Sequence, residues 1–226
     1  MDGTLVNLGA HVEWEKALEE IVGEYVKNGC LEKEVKIQSP PALFTLIESM
    51  WNQTCEKKGI DEAERIQESV FRILSSHEEK GSLSCSLMPD CLDTLEWLKN
   101  QGYPLGICTS NSHEAAIAAL KQQGIEGYFS VIIGRSMAYK MKPNPDQLVA
   151  CFEALDAAPR NSVIVGDSDK DVLAGKALGC YTVAIPVYFA IEKLNEVNPD
   201  RILRSLSELP QVILELENRI FIENRG

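Results

Sequence analysis

Two aspartates four positions apart follow an apolar run late in the chain, within Gly166-Asp167-Ser168-Asp169-Lys170-Asp171. The apolar run at 162–165 predicts a buried strand, and the residues from Asp171 onward predict a helix. Carboxylates at such a strand end and helix start can face one cation, and Mg²⁺ prefers oxygen ligands. Asp167 and Asp171 are therefore candidate metal ligands, whereas Asp169 is expected to be a solvated charge. The alternative is an acidic helix start that complements the helix dipole.

A second polar cluster, Thr109-Ser110-Asn111, follows the short apolar run at 104–108. A run of this length, bounded by turn residues, predicts a buried parallel strand. The Thr109 hydroxyl and the backbone N–H groups after it could donate to phosphate oxygens near the start of the next helix, where the dipole favours an anion. The alternative is that Ser110 or Asn111 caps that helix, and the two roles are compatible. Thr109, Ser110 and Asn111 are thus candidate phosphate-binding residues.

Lys142 stands before two prolines in Lys142-Pro143-Asn144-Pro145-Asp146. An ammonium group fixed by a stiff loop could neutralise the charge of a phosphoryl group during its transfer. A lone lysine in a loop is more simply an exposed charge. The two prolines and the position between predicted strands favour the functional interpretation, so Lys142 is a candidate for phosphate binding and catalysis.

The hydrophobic pattern divides the chain into two parts. Residues 11–28, 42–58 and 61–76 carry apolar residues at helical spacing, which predicts a helical block. From about residue 84 onward, short apolar runs alternate with helical patterns, which predicts an α/β core with a parallel sheet and right-handed connections. Ligands bind at the carboxyl ends of such strands, so we expect the three clusters to meet there. The predicted strands are 104–108, 129–133, 162–165, 181–185 and 201–203, and the predicted helices of the core are 90–100, 113–123, 146–155 and 171–178.

The composition argues against several classes of protein. The chain has 226 residues and a net charge of −12, so it repels polyphosphate backbones and we expect no nucleic-acid partner. No apolar stretch is long enough to span a membrane, and the N-terminus does not resemble a secretory signal. Seven scattered cysteines without a C-x-x-C pair favour reduced thiols over a disulfide framework or a zinc site. These features predict a cytoplasmic protein.

Together with the first residues of the chain, the three clusters resemble the motifs of the haloacid dehalogenase superfamily, in the family's order. Met1-Asp2-Gly3-Thr4-Leu5 resembles the end of its Asp-x-Asp-Gly-Thr-Leu motif. Thr109 resembles its second motif, an apolar strand closed by Thr or Ser. Lys142 with Pro-x-Pro-Asp resembles the third motif, and residues 166–171 resemble the fourth, Gly-Asp-x-x-x-Asp.

The resemblance implies a role for each motif residue. Asp2 would ligate Mg²⁺ through its backbone carbonyl and act as general acid and base through its carboxyl group. Asp167 would bind Mg²⁺ directly, and Asp171 directly or through water. Thr109 and Lys142 would bind the phosphoryl group and take part in catalysis. Dehalogenases of the superfamily generally lack the second Asp and the fourth-motif arrangement, so their presence here favours a phosphate substrate.

The resemblance covers essentially the whole chain and implies its layout. Phosphoglycolate phosphatase-like and sugar-phosphatase-like members combine a parallel-sheet, Rossmann-like α/β core with a helical cap inserted after the first motif. Here the core would comprise residues 1–10 and 84–226, and the cap residues 11–83. The implied activity is Mg²⁺-dependent hydrolysis of a small phosphorylated metabolite through an aspartyl phosphate, with the ester and the oligomeric state left open.

The attacking aspartate of the first motif would be the residue before Met1, which the sequence does not contain. By resemblance, the strand leading into it lies between the strands that end at Thr109 and Asp167. Without that strand we expect two unpaired strand edges and a slot in the core, where orphaned backbone groups cost on the order of 1–3 kcal/mol each. One hypothesis is a misplaced start; the other is a truncated, inactive relative that binds a phosphorylated ligand or a partner. Retention of the other motif residues favours the first.

Overall fold

Helices and parallel strands alternate from α4 onward, as the sequence predicts. The computed structural model describes residues 1–31, 40–188 and 190–223. The helices are α1 (Trp14–Lys27), α2 (Pro40–Lys58), α3 (Ile60–Ser82), α4 (Cys91–Asn100), α5 (His113–Gln122), α6 (Asp146–Leu155), α7 (Asp169–Ala177), α8 (Ile191–Glu196) and α9 (Leu209–Glu223). The strands are β1 (Gly106–Ser112), β2 (Val131–Arg135), β3 (Val163–Gly166), β4 (Tyr181–Ala184) and β5 (Arg201–Ile202).

The strands form two separate parallel ladders rather than one continuous sheet. β1 pairs with β2, with Ile107 opposite Ile132. β3, β4 and β5 form the second ladder, in which Val165 lies opposite Val183. Among the described residues no backbone pairing joins β1 to β3. The α/β class is confirmed, but the sheet is interrupted between these two strands.

A cavity of about 1320 Å³, which we call the slot, lies at this interruption. Both facing strands line it, with Ile107 on β1 and Val163–Val165 on β3, and the walls are completed by apolar residues such as Leu98, Phe152 and Ile213. Its volume exceeds the roughly 300–1,000 Å³ of common small-molecule sites. The slot lies where the sequence predicts an unfilled strand position, between the strands that precede Thr109 and Asp167.

Apolar side chains cover both faces of the ladders. Ile107 belongs to a buried cluster with residues of α4, α5 and α9, whereas the adjacent Cys108 packs in a cluster with α6 and α7. Successive residues of a strand point to opposite faces, so each face of β1 is covered by helices. This arrangement leaves the carboxyl ends of the strands as the edge that can bind a ligand.

Helices α1, α2 and α3 share a buried core of their own, which includes Ile21, Ile47 and Leu74. Helix α3 continues past the predicted end at 76 to Ser82, and it also contacts α5 and β1 of the α/β part. Helix α1 begins at Trp14 rather than 11, because a 3-10 turn, Leu8–His11, precedes it. Residues 32–39 lie outside the described residues, and the cap boundaries 11–83 stay a prediction.

Several predicted boundaries agree closely with the structure. Helix α6 begins and ends where the sequence predicts, whereas β1 runs on past its predicted end at Cys108 through the polar residues 109–112. All seven cysteines are free thiols, as expected. Within the described ranges, none of the helices combines the length and apolarity needed to cross a bilayer.

Candidate active site

Lys142 lies where the carboxyl ends of the two ladders approach each other. Its Nζ donates to the backbone oxygen of Cys108 at 2.9 Å and to Asp171 Oδ1 at 2.5 Å. The side chains of Lys142 and Asp171 are only 9% and 11% exposed. One buried ammonium thus connects β1, at the residue before Thr109, with the first turn of α7, and three of the predicted motifs meet at this point.

The side chain of Asp171 is also held by Ser168, the residue that precedes α7. Its Oδ2 accepts hydrogen bonds from the backbone N–H and the hydroxyl of Ser168, at 3.1 and 2.6 Å. Ser168 in turn caps α7 and accepts from the Asp171 N–H, so the two residues form a capping box. Asp171 is therefore both an acidic helix start and a partner of Lys142, and both of its oxygens are already hydrogen-bonded.

The carboxylate of Asp167 lies against the backbone of Gly3. Gly3 has a φ of +71°, and a Cβ placed on it would lie 2.4 Å from Asp167 Oδ2. Only glycine adopts this conformation easily and leaves room for so close an approach. The Asp-Gly pair at the start of the chain is thus held beside the first aspartate of the fourth motif, which is itself only 8% exposed.

A tight turn holds Asp2 at the site. The N–H groups of Thr4 and Leu5 donate to the carbonyl of Met1, at 3.2 and 2.7 Å. Asp2 Oδ1 accepts a hydrogen bond of 2.9 Å from the N–H of Gly9. The carboxyl group therefore has a fixed orientation next to the other motif residues.

The hydroxyl of Thr109 is engaged within its own loop. Thr109 Oγ1 donates to Asn111 Oδ1 at 2.9 Å and accepts from the Asn111 N–H at 3.2 Å. A phosphate oxygen would have to replace Asn111 as the acceptor before this hydroxyl could donate to it. Ser112 caps α5, accepting from the Ala115 N–H at 3.2 Å. The expectation that Ser110 or Asn111 forms this cap is wrong, because β1 continues through both residues.

Burial raises the pKa of two aspartates of the site, Asp167 and Asp2. Burial and the neighbouring Asp171 carboxylate raise the pKa of Asp167 to about 7. Burial also raises the pKa of Asp2, against the opposing effect of the hydrogen bond from Gly9. A carboxyl group with a raised pKa is suited to donate a proton near neutral pH.

The two ammonium groups of the site respond differently to burial. Burial by itself would lower the pKa of Lys142, but the contact with Asp171 raises it above its ordinary value. Burial by itself would raise the pKa of Asp171, but the ammonium of Lys142 holds that pKa below its ordinary value. Burial and the charge of Lys142 lower the pKa of the Met1 ammonium, against the opposing effect of the Asp171, Asp167 and Asp2 carboxylates.

The oxygen donors of the site suit Mg²⁺ better than a softer metal. Across residues 1–31, 40–188 and 190–223, no group of three or more His, Cys, Asp or Glu side chains is arranged to hold a metal ion. Mg²⁺ is commonly bound by only one or two carboxylates together with waters and substrate oxygens. Asp167 could be a direct ligand and the carbonyl of Asp2 a second. Asp171, with both oxygens hydrogen-bonded, is better placed to act through water.

Two residues that the sequence did not single out also contact residues 109–112 at the end of β1, a segment that we call the phosphate-binding loop for its predicted role. Glu78 of α3 and Arg135 at the end of β2 form a fully buried ion pair beside it. Arg135 follows an apolar strand, and a charge at that position is a signal that the sequence does contain. Glu78 lies in a charged run, His77-Glu78-Glu79-Lys80, which looks like a solvated helix face.

Comparisons with known proteins show which family the chain is similar to. Residues 1–185 match the haloacid dehalogenase-like hydrolase family. The chain is 32% identical over 228 residues to a phosphoglycolate phosphatase of Shigella boydii, covering 92% of this chain and 88% of that protein. A phosphoglycolate phosphatase of Escherichia coli is 34% identical over 151 residues, covering 66% of this chain and 59% of that protein. A pyrophosphatase PpaX of Halalkalibacterium halodurans is 28% identical, covering 66% of this chain and 70% of that protein.

A solved structure has the same fold. A haloacid dehalogenase-like hydrolase from Streptococcus pneumoniae matches with a TM-score of 0.64 and 24% identity, and the match covers 94% of each chain. The family match over residues 1–185 covers more than half of the chain. The chain therefore belongs to the haloacid dehalogenase-like hydrolase family and resembles its phosphoglycolate phosphatase-like branch.

Proposed function

We propose that this protein is a Mg²⁺-dependent phosphatase that hydrolyses a small phosphorylated metabolite. The observation that carries the proposal is the buried contact of Lys142 with Asp171 and with the Cys108 carbonyl of β1, near Asp167. An ammonium group and two carboxylates at the carboxyl ends of parallel strands suit a phosphoester dianion with its cation. The coarser assignment, a phosphoric monoester hydrolase, agrees with the family and with the names of the relatives.

Each residue of the site has a role in the proposed reaction. Lys142 binds the phosphoryl oxygens and offsets their charge. Asp2, whose pKa burial raises, protonates the leaving alcohol and then takes a proton from the water that hydrolyses the aspartyl phosphate. The attacking carboxylate would belong to an aspartate immediately before Met1. Bound Mg²⁺ would supply further neutralisation of the phosphoryl charge, held by Asp167 and the Asp2 carbonyl.

The substrate class follows from the relatives rather than from the site. Phosphoglycolate is the first ester to test, since a phosphoglycolate phosphatase is the relative with 32% identity over 92% of this chain. Pyrophosphate is the second, on the resemblance to a pyrophosphatase. A hexose phosphate and a generic aryl phosphate complete a panel that separates a specific from a general phosphatase.

The proposal is tested on a polypeptide extended upstream by the in-frame codons that precede Met1. We expect those codons to encode an apolar strand that ends in Asp. The extended protein should release phosphate from at least one ester of the panel in Mg²⁺ and not in EDTA. Asp167→Asn should abolish this turnover, whereas Asp169→Asn should retain it. An upstream sequence without an apolar run ending in Asp, or turnover that survives Asp167→Asn, would contradict the proposal.

A binding role without hydrolysis is the second candidate, and the slot is the observation that favours it. The 226-residue polypeptide should show no turnover with any ester of the panel, because the attacking carboxylate is not among its residues. If this polypeptide binds phosphate in Mg²⁺ and the extended protein is equally inactive, the binding role replaces the phosphatase. Robust turnover by the 226-residue polypeptide would refute the assignment of the attacking aspartate.

A further inference from the structure

Glu78 and Arg135 form a completely buried ion pair at the edge of the candidate site. Arg135 Nη1 donates to Glu78 Oε1 at 2.9 Å, and Nη2 donates to Glu78 Oε2 at 2.8 Å. The exposed fraction of both side chains is 0%. This bidentate contact fixes the planes of the guanidinium and the carboxylate relative to each other.

The pair also holds three consecutive residues of the phosphate-binding loop. Arg135 Nη1 donates to the carbonyl of Ser110 at 2.6 Å. Glu78 accepts from the Asn111 side-chain amide at 3.3 Å and from the Ser112 N–H at 2.9 Å. Because Asn111 Oδ1 accepts the Thr109 hydroxyl, the orientation of that hydroxyl also depends on Glu78 through one intervening side chain.

These contacts connect the loop to the long helix α3. Phe71, Ser75 and Glu78 are spaced along one face of this helix, and all three approach Arg135. The guanidinium lies 5.2 Å from the centre of the Phe71 ring, and Nη2 donates weakly to Ser75 Oγ at 3.4 Å. Helix α3 therefore reaches the loop through Arg135 as well as through Glu78.

A buried ion pair of this kind contributes little net stability, so the pair is expected to have another role. Desolvation offsets most of the attraction in such a pair, and apolar residues of similar volume often stabilise a fold equally well. A buried pair that also hydrogen-bonds a loop has a second effect, because it selects one loop conformation among several.

We infer that Glu78 and Arg135 are positioning residues that fix the Thr109–Ser112 loop in its phosphate-binding conformation; this rests on the proposed function. The polar contacts of the pair described above are to residues 110–112 and to Ser75 of α3. The pair acts by orienting the Ser110 carbonyl, the Asn111 amide and the Ser112 N–H. Its removal should therefore weaken phosphate binding and leave Mg²⁺ binding at Asp167 unchanged.

The test replaces both charges by apolar residues, in the double variant Glu78→Leu/Arg135→Met. This change removes the loop contacts without leaving an unpaired buried charge. The matched control is Tyr25→Phe/Gln67→Leu, which removes a buried polar contact of 3.5 Å between α1 and the same helix α3. Gln67 precedes Glu78 by 11 residues, roughly 16 Å along the helix, so the control does not touch the loop.

Three measurements separate positioning from a purely structural role: thermal unfolding, Mg²⁺ affinity and inorganic phosphate affinity in Mg²⁺. We expect the double variant to unfold within a few degrees of the wild type and to bind Mg²⁺ equally well. Its phosphate affinity should fall at least about tenfold, the effect of losing about 1.4 kcal/mol of hydrogen bonding. The control should bind phosphate as the wild type does. Wild-type phosphate affinity in the double variant would overturn the inference.

Hydrogen exchange of the backbone amides gives a readout that does not depend on phosphate. In the ligand-free double variant, the amide of Ser112 should exchange faster while β3 and β4 keep their protection. If the wild type binds no phosphate, the proposed function fails by itself, and exchange decides about the loop. Unchanged exchange at Ser112 would show that the pair does not position it.

Discussion

Replacing Asp167 by Asn should stabilise the metal-free protein at high pH, although it removes a residue of the candidate site. The pKa of Asp167 is raised to about 7 from an ordinary value of 3.8, because the carboxyl group is buried and lies near Asp171. The folded protein without metal therefore disfavours the ionised form. An amide of the same shape carries no charge and avoids this penalty.

The direction of the pH dependence follows from the two pKa values. Below about pH 4 both the folded and the unfolded protein hold the proton, and Asp167 has no effect on stability. Between about pH 4 and 7 the unfolded chain loses its proton first, so the free energy of unfolding falls. A difference of about three pKa units corresponds to at most about 4 kcal/mol above pH 7. In a chain of this size each kcal/mol shifts the melting temperature by about 2–4 °C.

The assay is thermal unfolding in EDTA at pH 5, 6, 7 and 8, with Asp169→Asn as the control. We expect Asp167→Asn to melt above the wild type by at least about 4 °C at pH 8, with less than half of that difference at pH 5. The control, which changes a half-buried aspartate of the same motif, should show no such trend. A variant that melts below the wild type at pH 8, or a difference independent of pH, would refute the reasoning.

Adding Mg²⁺ at pH 8 should stabilise the wild type but not Asp167→Asn, and so narrow the difference between the two proteins. A ligand that binds only the folded state at one hundred times its dissociation constant stabilises by about 2.7 kcal/mol. The wild type should gain this stability at pH 8, where Asp167 is ionised, and lose most of the gain at pH 5. Asp167→Asn should gain nothing at either pH. An equal response of the two proteins to Mg²⁺ would exclude Asp167 as a metal ligand.

Three further outcomes are expected. Lys142→Met should lower the free energy of unfolding, measured in urea, by about 3–5 kcal/mol, because Asp171 is left buried without its cation. Lys142→Arg should restore part of this free energy. Equal stability of the wild type and both variants would contradict a stabilising contact between Lys142 and Asp171. Gly3→Ala should weaken Mg²⁺ binding and lower the melting temperature more than Gly29→Ala does. Both glycines have a positive φ, but of the two only Gly3 faces a carboxylate. Equal effects of the two substitutions in calorimetry would contradict the close approach of Gly3 to Asp167. An upstream apolar strand should raise the melting temperature whether it ends in Asp or Asn, and only the Asp form should release phosphate; no stabilisation would show that it does not enter the slot.

The sequence predicted the elements whose signals are local. Helix α6 has the bounds that the sequence predicts; in the structure Pro145 precedes it, and Asp156, with a φ of +49°, ends it in the left-handed conformation. The strands of the second ladder were found within one residue because each is a short apolar run between turns. Turn residues and apolar runs act over a few positions, so one segment contains the information.

Long-range partners explain what the sequence could not predict. Helix α3 reaches Ser82 because Glu78 pairs with an arginine 57 positions away. In isolation its last turns read as a solvated charged face. Strand β1 continues to Ser112 because Ser112 pairs with Arg135 of β2 and because Gln147 donates to the Thr109 carbonyl at 2.9 Å. The residues that surround Glu78 and Ser112 in the sequence do not indicate these distant partners.

The contact of Lys142 with both ladders links the chemistry of the site to the slot. Its ammonium bridges Cys108 of β1 and Asp171 in the first turn of α7 across the interrupted sheet. A strand in the slot would end beside this group, so the charge that bridges the two ladders would also face the group that attacks phosphorus. Filling the slot should therefore order Lys142 as well as the strands. Faster exchange of the β1 and β3 amides in the 226-residue polypeptide than in the extended protein would support this coupling, and equal exchange would refute it.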